Sequence, residues 1–397
     1  MTGIAVQARQ GCAHPAAAMP WHEARALAHR LPHPTGKQRL PVEHAAGRTL
    51  ALPLRAATTL PGFDNAAMDG YATRGPGPWR VVDRVLAGQW PAVQLAPGEA
   101  AEIATGAPVP AGTDRVVEYE VTTRIGDVVS ADPGPRRHLR RRGEYVTTGD
   151  ELLPAGHLLT PAGIGLAAGA GVDTVTVHRP PAVRILITGD EIVTSGSPER
   201  GKVRDAVGPL LTGLLTAWGA RRPELRRVPD HPSDALATAL TSVPAGNDLT
   251  IVCGSSSVGP ADGLHRALHD IGALLHVDGV DCRPGHPQVL AQAGERWLVG
   301  VPGNPFAALV AAVTLLQPLL AGLAGRALPD LPRAPLRGDV RPAPGRTRLV
   351  PVRRRDHEVH LIEGAHPGYL GPAAQAEALA VLPPAWRDGT TVELVPL

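Results

Sequence analysis

Residues 183–191 read VRILITGDE, an apolar run that ends in a glycine and two acidic residues. A short apolar run bounded by turn residues is typical of a strand that is buried on both faces. Two later runs share this design, LTIVC at 249–253 and WLVGV at 297–301. Three helical patterns alternate with these strands, at 209–218, 233–240 and 263–271. The alternation predicts a doubly wound α/β domain between about residues 183 and 325.

The helix ends of this domain carry recognisable signals. Gly219 follows the first helical pattern as a C-cap, and Ser233 is placed to cap the second. Asn304 is placed to cap a long apolar helix that has Pro305 at its first position. The apolar run 306–323 contains Gln317 and Pro318, so we interpret it as a buried helix and not as a membrane span.

All three predicted strands end in loops that suit a phosphate-bearing ligand. Carboxyl ends of parallel strands meet at one edge of an open sheet, where ligands bind. Small residues expose backbone N–H groups to phosphate, and Glu191 and Asp262 are hard oxygen ligands for Mg²⁺. The predicted substrate-binding residues are Thr188, Gly189, Asp190, Gly254, Ser255, Ser256, Ser257, Gly259, Pro302, Gly303, Asn304 and Pro305.

Each loop also has an ordinary structural interpretation. A Ser/Gly loop after a strand is often only a turn. Asp190, Glu191 and Asp262 could equally serve as caps, because negative charge is favourable near helix starts. Three such loops on one predicted edge favour a phosphate and metal site, which is the equipment for cleaving a phosphoanhydride.

The remainder of the chain divides by composition into four parts. Short β-type runs between Gly/Pro turns predict a loop-rich mixed β domain at 51–147. Residues 1–19 are expected to be a flexible leader. Residues 20–50 and 148–180 are expected to form an elongated linker domain of helices and strands, and residues 181–327 the α/β domain. A proline-rich entry segment at 328–346 precedes short alternating strands, and the whole of 328–397 predicts a C-terminal β-barrel domain.

Charge and cysteine usage exclude several functional classes. The formal net charge is +2, which does not support nucleic-acid binding. The three cysteines form no CxxC pair, so neither a disulfide framework nor a zinc site is indicated. The N-terminus has no apolar signal region, and we expect a cytoplasmic protein without membrane association.

Six strings in the chain together resemble one family. DNAAMDGYA (64–72), TGAPVPAG (105–112), RRRGE (140–144), TGDE (188–191), SVGPAD (257–262) and PGNP (302–305) occur in this order. They are similar to the molybdopterin molybdenumtransferase family, which includes the gephyrin E domain. The resemblance extends from about Trp21 to the C-terminus and weakens after Gly325.

The resemblance implies a fold, a reaction and a set of partners. Family members are four-domain subunits of a homodimer, with the site between the α/β domain of one subunit and the loop-rich domain of the other. They insert molybdate into adenylylated molybdopterin, a pterin nucleotide, and release AMP with the help of Mg²⁺. A molybdopterin adenylyltransferase is the implied partner. Carried over by position, the catalytic residues are Asp69, Thr105, Glu191, Asp205 and Asp262, and the metal ligands are Glu191 and Asp262.

The chain departs from the family pattern at several positions. Tyr145 stands where the family usually has Asp, and Ser256 stands where it has Gly. The KPGKP string of the family becomes Arg283-Pro284-Gly285-His286-Pro287. The resemblance implies that Arg283 and His286 bind substrate, where Arg283 keeps the charge of a lysine and His286 replaces the second lysine. These changes leave two hypotheses open: an active molybdenumtransferase, and a divergent paralogue that binds molybdopterin or a partner without turnover.

Overall fold

The computed structural model describes residues 18–254, 263–340 and 343–397. Contacts divide the chain into two compact units. The larger unit contains residues 1–38 and 178–397, and the smaller unit contains residues 39–177. Each unit has its own hydrophobic clusters and is described on its own below.

The strands follow one another in this order: β1 Met19–Pro20, β2 Lys37–Pro41, β3 Leu54–Arg55, β4 Asn65–Ala66, β5 Gly70–Thr73, β6 Trp79–Val85, β7 Glu99–Ile103, β8 Arg115–Glu118, β9 Thr122–Ile125, β10 Val128–Ala131, β11 Leu139–Arg140, β12 Glu151–Leu153, β13 Thr174–His178, β14 Val183–Thr188, β15 Ile192–Val193, β16 Val203–Arg204, β17 Glu224–Val228, β18 Leu249–Cys253, β19 Leu274–Asp278, β20 Val280–Arg283, β21 Val289–Ala293, β22 Arg296–Val301, β23 Arg333–Arg337, β24 Thr347–Arg355, β25 Glu358–Leu361, β26 Ala378–Leu382 and β27 Thr391–Pro396.

The α-helices are α1 Trp21–Arg30, α2 Pro161–Gly169, α3 Val207–Ala217, α4 Ala235–Thr241, α5 Leu264–Asp270, α6 Pro305–Ala311, α7 Gln317–Leu323 and α8 Gly371–Ala374. A π-helical turn, Ala312–Leu316, joins α6 to α7. Two short 3₁₀ helices are Val42–His44 and Tyr119–Val121.

A six-stranded sheet organises the larger unit, in the order β17-β14-β18-β22-β21-β19. The first four strands are parallel to their neighbours. The remaining two, β21 and β19, are added antiparallel. The three strands predicted from the sequence are therefore adjacent and parallel, and the strands that flank them complete a mixed sheet.

Helices cover both faces of this sheet. Ile185 and Ile187 of β14 point into one cluster with α1, α3, α6 and α7. Leu186, which lies between them, points into a second cluster with α4 and α5. Alternate side chains of a strand point to opposite faces, so the apolar run of β14 is buried twice. This confirms the predicted doubly wound α/β fold.

The C-terminal residues of the larger unit close into a five-stranded barrel. The strands pair in the order β24-β25-β23-β27-β26, and β26 pairs back with β24. Leu336, Val352 and Leu394 are among the residues that fill its core. The predicted C-terminal β-barrel is confirmed, and the proline-rich segment 328–346, which suggested a linker or an irregular entry segment, is partly a strand. It contains β23, where Ala334 and Leu336 alternate inward in spite of Pro335.

The smaller unit is a mixed β structure with many loops, as predicted. Its main sheet has the order β8-β5-β7-β6-β10-β9 and contains both parallel and antiparallel pairs. Short pairs such as β3 with β12 and β4 with β11 surround it. The helix α2 packs in a separate cluster with Leu50, Leu159 and Val177.

Two capping predictions need correction. The helix α4 begins at Ala235 with Asp234 at its N-cap, and Ser233 is not the cap. Asn304 does occupy the N-cap of α6, but its side chain makes no capping hydrogen bond. The N–H groups of Phe306 and Ala307 instead donate to the Pro367 carbonyl, at 2.9 and 3.3 Å. The Pro367 carbonyl thus accepts the hydrogen bonds at the start of α6 that the Asn304 side chain was expected to accept.

The long apolar helical run is a core element. Pro305–Leu323 is long and apolar enough to cross a membrane by composition, but 94% of its most apolar window is buried inside the fold. The helix α1 packs against it, and Trp21 Nε1 donates a hydrogen bond to Thr314 Oγ1 at 2.9 Å. Trp21 is 1% exposed, so this bond anchors the N-terminal helix in the core of the larger unit.

We expect Trp21→Ala to lower the free energy of unfolding by roughly 3–5 kcal/mol, because it leaves a cavity and removes the bond to Thr314. Trp90→Ala is the matched control, since Trp90 is 75% exposed and its removal should change stability by less than about 0.5 kcal/mol. Urea denaturation followed by circular dichroism measures both. Equal effects would show that Trp21 does not anchor α1.

Candidate functional site

The register of the parallel strands places three chain segments on one level. Ile187 pairs with Cys253, and Cys253 pairs with Val301. The next residues, Thr188, Gly254 and Pro302, therefore leave the sheet together at its carboxyl edge. We call this the carboxyl edge below. The structure thus brings together the three loops that the sequence singled out, as far as they lie in the described residues.

Thr188 holds the first two loops together. Its hydroxyl donates to the Cys253 carbonyl at 2.9 Å, and its side chain is buried. Gly254 has φ +88°, and a Cβ at this position would lie 2.7 Å from Thr188 Oγ1. Glycine is required here both for the left-handed backbone and for the close approach to Thr188.

The third loop closes against the second. A Cβ on Gly303 would lie 3.8 Å from the Gly254 Cα, so the two backbones are close neighbours. Gly254 N also donates to the Val301 carbonyl at 3.0 Å. Pro302, Gly303, Asn304 and Pro305 therefore form a wall of the carboxyl edge, next to the point where 255–262 begins. Ser255, Ser256, Ser257, Gly259 and Asp262 lie outside the described residues.

Acidic groups gather where β14 ends. Glu191 folds back over Gly189, since a Cβ on Gly189 would lie 2.6 Å from Glu191 Oε2. Asp190 N donates to Asp230 Oδ2 at 3.1 Å, and Asp230 N donates to Asp190 Oδ1 at 3.3 Å. Sequence reasoning missed Asp230, because it follows β17, an edge strand whose charged sequence ELRRV carries no apolar run.

The predicted metal site depends on which of these carboxylates could bind an ion. Within the described residues, no group of three or more His, Cys, Asp or Glu side chains is arranged to hold a metal ion. Glu191 presents an exposed carboxylate at the carboxyl edge, whereas Asp190 and Asp230 each accept a backbone N–H. Glu191 therefore fits the chemistry of a Mg²⁺ ligand, and its predicted companion Asp262 is outside the described residues.

Asp205 has a structural function that its sequence context did not reveal. Its Oδ1 accepts the N–H groups of Val207 and Gly208 at 3.0 and 2.9 Å, so it caps the start of α3. Asp205 is 9% exposed. Burial, and to a lesser extent the charge of Asp205, raises the pKa of the Cys253 thiol above its usual range. Burial is therefore the main reason that the pKa of the Cys253 thiol is raised, and Asp205, near the end of β18, adds to the effect.

The Arg283–Pro287 turn is held rigidly from within. His286 Nδ1 lies 2.8 Å from the Val280 carbonyl, and Gln288 Nε2 donates to the Gly285 carbonyl at 2.6 Å. Gln288 is fully buried. One ring nitrogen of His286 is therefore occupied by the backbone, which fixes the direction of the ring.

A second arginine accompanies Arg283. Strand β20 pairs with β24 so that Arg283 lies opposite Arg348. Burial and the charge of Arg283 lower the pKa of Arg348. His286 replaces the second lysine of the family pattern. Arg348, which comes from the barrel and carries no local sequence signal, places a second arginine opposite Arg283.

The smaller unit joins Asp69 to Thr105. Thr105 N donates to Asp69 Oδ1 at 2.6 Å. Strand β5 begins directly after Asp69 and pairs with β7, whose last residue, Ile103, lies opposite Gly70. The structure therefore brings together Asp69 and Thr105, which only the family resemblance had singled out.

Two arginines of the RRRGE string at 140–144 contact Asp64, in the segment that precedes Asp69. Arg141 Nη1 lies 2.6 Å from Asp64 Oδ2, and Arg142 N donates to Asp64 Oδ1 at 2.7 Å. The Arg142 N–H, and then the Arg141 guanidinium, hold the pKa of Asp64 below its usual value. Tyr145, at the position where a carboxylate is missing, is 63% exposed. Arg141 and the backbone of Arg142 thus have a structural role.

A polar cavity of about 820 Å³ lies at the opposite, amino edge of the sheet. Its lining includes Arg179, Asn247, Asp248 and Trp297. Arg179 binds Asp248 in a bidentate pair at 2.8 and 2.7 Å, and Asp248 also accepts the Ala182 N–H at 2.7 Å. This charge pair joins β14 to the start of β18 and explains the polar lining without a ligand.

Comparison with known proteins decides the family. Residues 19–171 match the MoeA N-terminal region (domain I and II), residues 184–322 match a probable molybdopterin binding domain, and residues 333–397 match the MoeA C-terminal region (domain IV). The molybdopterin molybdenumtransferase of Nostoc sp. is 36% identical over 299 residues, which cover 71% of this chain and 68% of the relative. That of Haemophilus influenzae is 33% identical over 311 residues, which cover 75% of each.

The chain belongs to the molybdopterin molybdenumtransferase family. Its membership confirms the resemblance that the six strings indicated and places it among the transferases of molybdenum cofactor biosynthesis. The MoeA protein of Pyrococcus horikoshii OT3 shares the fold, with a TM-score of 0.81 at 24% identity over 96% of this chain and 100% of that one.

We expect Gly254→Ala to destabilise the protein more than Gly246→Ala. Both glycines have a left-handed φ, +88° and +79°, but only Gly254 faces a neighbouring atom, Thr188 Oγ1. Gly246→Ala should cost about 1–2 kcal/mol for the backbone alone, and Gly254→Ala should cost at least ~1 kcal/mol more for the contact. Thermal unfolding of both variants gives the comparison, and equal losses would refute close packing at Gly254.

Proposed function

We propose that the protein inserts molybdate into adenylylated molybdopterin and releases AMP. The observation that carries the proposal is the convergence of Thr188, Gly254 and Gly303 at the carboxyl edge, with Glu191 folded beside them. Loops of this kind suit a phosphate group held close to backbone. Family membership supplies the substrate class.

The proposed reaction has two parts. Water adds to one phosphorus of the pyrophosphate, the bridging P–O bond breaks, and AMP leaves while the pterin keeps a phosphate monoester. The two dithiolene thiols bind molybdenum through their sulfurs, and their two protons leave with one molybdate oxygen as water. Molybdate is a substrate here. The protein must therefore hold two anions and the pterin nucleotide in one arrangement.

The residues of the carboxyl edge divide this work in the proposal. Backbone N–H groups near Gly254 and Gly303 receive the phosphates. Glu191 would hold Mg²⁺ together with Asp262, and when bound the ion would offset charge on the pyrophosphate. Arg283, with Arg348 opposite it, supplies positive charge for an oxyanion, and His286 contributes the ring nitrogen that the Val280 carbonyl leaves open.

Asp69, Thr105 and Asp205 complete the proposed set. Asp69 orders the Thr105 loop through the bond to Thr105 N, and Asp205 orders the start of α3. We propose that all three act in the reaction, as the family pattern implies. The domain boundaries stated above and a cytoplasmic location are proposed from the sequence, whereas a homodimer and cooperation with a molybdopterin adenylyltransferase are proposed on the resemblance alone.

We expect Glu191→Gln to abolish molybdate-dependent AMP release from adenylylated molybdopterin and to leave the fold intact. Glutamine keeps the shape of the side chain but removes the charge that would hold Mg²⁺. Glu199→Gln is the matched control, because Glu199 is an exposed carboxylate of the same segment and should retain full activity.

Chromatographic quantification of AMP, with and without molybdate, reports the result. Normal turnover by Glu191→Gln would contradict the assigned role. Nucleotide binding without AMP release in the unaltered protein would instead support the non-catalytic paralogue, and would direct attention to Tyr145, Ser256 and His286.

A further inference from the structure

Two aromatic side chains of the smaller unit, Phe63 and Trp90, are exposed to solvent. Trp90 is 75% exposed and Phe63 is 39% exposed. Their rings meet edge to face, with centroids 5.9 Å apart and an interplanar angle of 78°. Of the six tryptophans of the chain, Trp90 is the most exposed, and the buried ones, such as Trp79 at 2%, lie in cores. Exposed aromatic rings of this size are expensive to leave in water.

Strand topology places these rings at one end of the sheet. Strands β6 and β7 are parallel and end together, with Val85 paired to Ile103. The loop that carries Trp90 leaves from Val85, and the loop that carries Thr105 leaves from Ile103. Ala104 N donates to the Val85 carbonyl at 3.1 Å, which joins the two loops at their bases.

Phe63 reaches the same end from another direction. The Asp64 carbonyl accepts the Val109 N–H at 3.0 Å, and the Ala66 carbonyl accepts the Gly106 N–H at 2.8 Å. The segment that carries Phe63 therefore lies along the loop that follows Thr105. The Trp90 loop is ordered from within, since Gln89 Oε1 accepts the Leu86 N–H at 3.2 Å.

Positive charge flanks the aromatic pair. Strand β11 pairs with β4 so that Arg140 lies opposite Asn65, two residues from Phe63. Arg142 is exposed, and its backbone N–H is bonded to Asp64, the residue next to Phe63. An exposed ring face that can stack on a base, with arginines on the neighbouring segments, is an arrangement that suits a nucleotide.

We propose that Trp90, supported edge to face by Phe63, forms an aromatic platform that stacks on the adenine ring of the nucleotide substrate, with Arg140 and Arg142 supplying positive charge close by. This assignment rests on the proposed function, because that function supplies an adenylylated substrate. The platform adds specificity for the nucleotide half of the substrate, which the carboxyl edge does not explain.

The test measures AMP binding to the full-length protein by isothermal titration calorimetry. Trp90→Ala should raise the dissociation constant for AMP roughly tenfold, the loss expected when one aromatic–base stack is removed. Trp90→Phe should keep the affinity within about threefold, since phenylalanine still offers a ring face. Ile125→Ala is the matched control: Ile125 is 80% exposed in the same unit and should leave AMP binding unchanged.

Ribose 5-phosphate, which lacks the base, should bind Trp90→Ala and the unaltered protein equally. Unchanged AMP affinity in Trp90→Ala overturns the platform and leaves the proposed function standing. A loss confined to a free pterin, with AMP unaffected, overturns the assignment to adenine. Failure of the unaltered protein to bind AMP overturns both the platform and the proposed function.

Discussion

The parallel register of β14, β18 and β22 determines which loops meet at the carboxyl edge, where we propose that the substrate binds. Because Ile187, Cys253 and Val301 lie in one row of the sheet, three segments that are far apart in the chain leave it side by side. The Thr188 hydroxyl and the two glycines, Gly254 and Gly303, then pack so closely that a methyl group on Gly254 would collide with Thr188. In the described part of this edge, Gly254 and Gly303 place backbone close to backbone, without a side chain between them.

The parallel sheet also separates the contacts that stabilise the larger unit from the loops that carry the proposed site. Burial of β14 on both faces, by Ile185 and Ile187 on one side and Leu186 on the other, fixes the sheet. The amino edge is joined by the Arg179–Asp248 pair. The carboxyl edge carries the acidic groups, including Glu191, in exposed loops. A rigid sheet that presents variable loops is a general arrangement for binding sites.

Periodicity and turn signals predicted the elements whose physics is local. The strand pattern of VRILITGDE, the break after α3 at Gly219 and the start of α6 at Pro305 were all readable. Contacts made at a distance were not. Asp230 follows a charged edge strand, Arg348 reaches Arg283 only through β20–β24 pairing, and Pro367 replaces the cap expected from Asn304. No window of sequence contains both partners of such contacts.

Hydrogen–deuterium exchange with and without adenylylated molybdopterin tests the central claim most directly. The account predicts slower exchange on ligand binding in the segments around Thr188–Glu191, Gly254 and Gly303, with no change around Arg179 and Asp248 at the amino edge. Protection at the amino-edge cavity, with the carboxyl-edge loops unaffected, would contradict the account and place the substrate at the other side of the sheet.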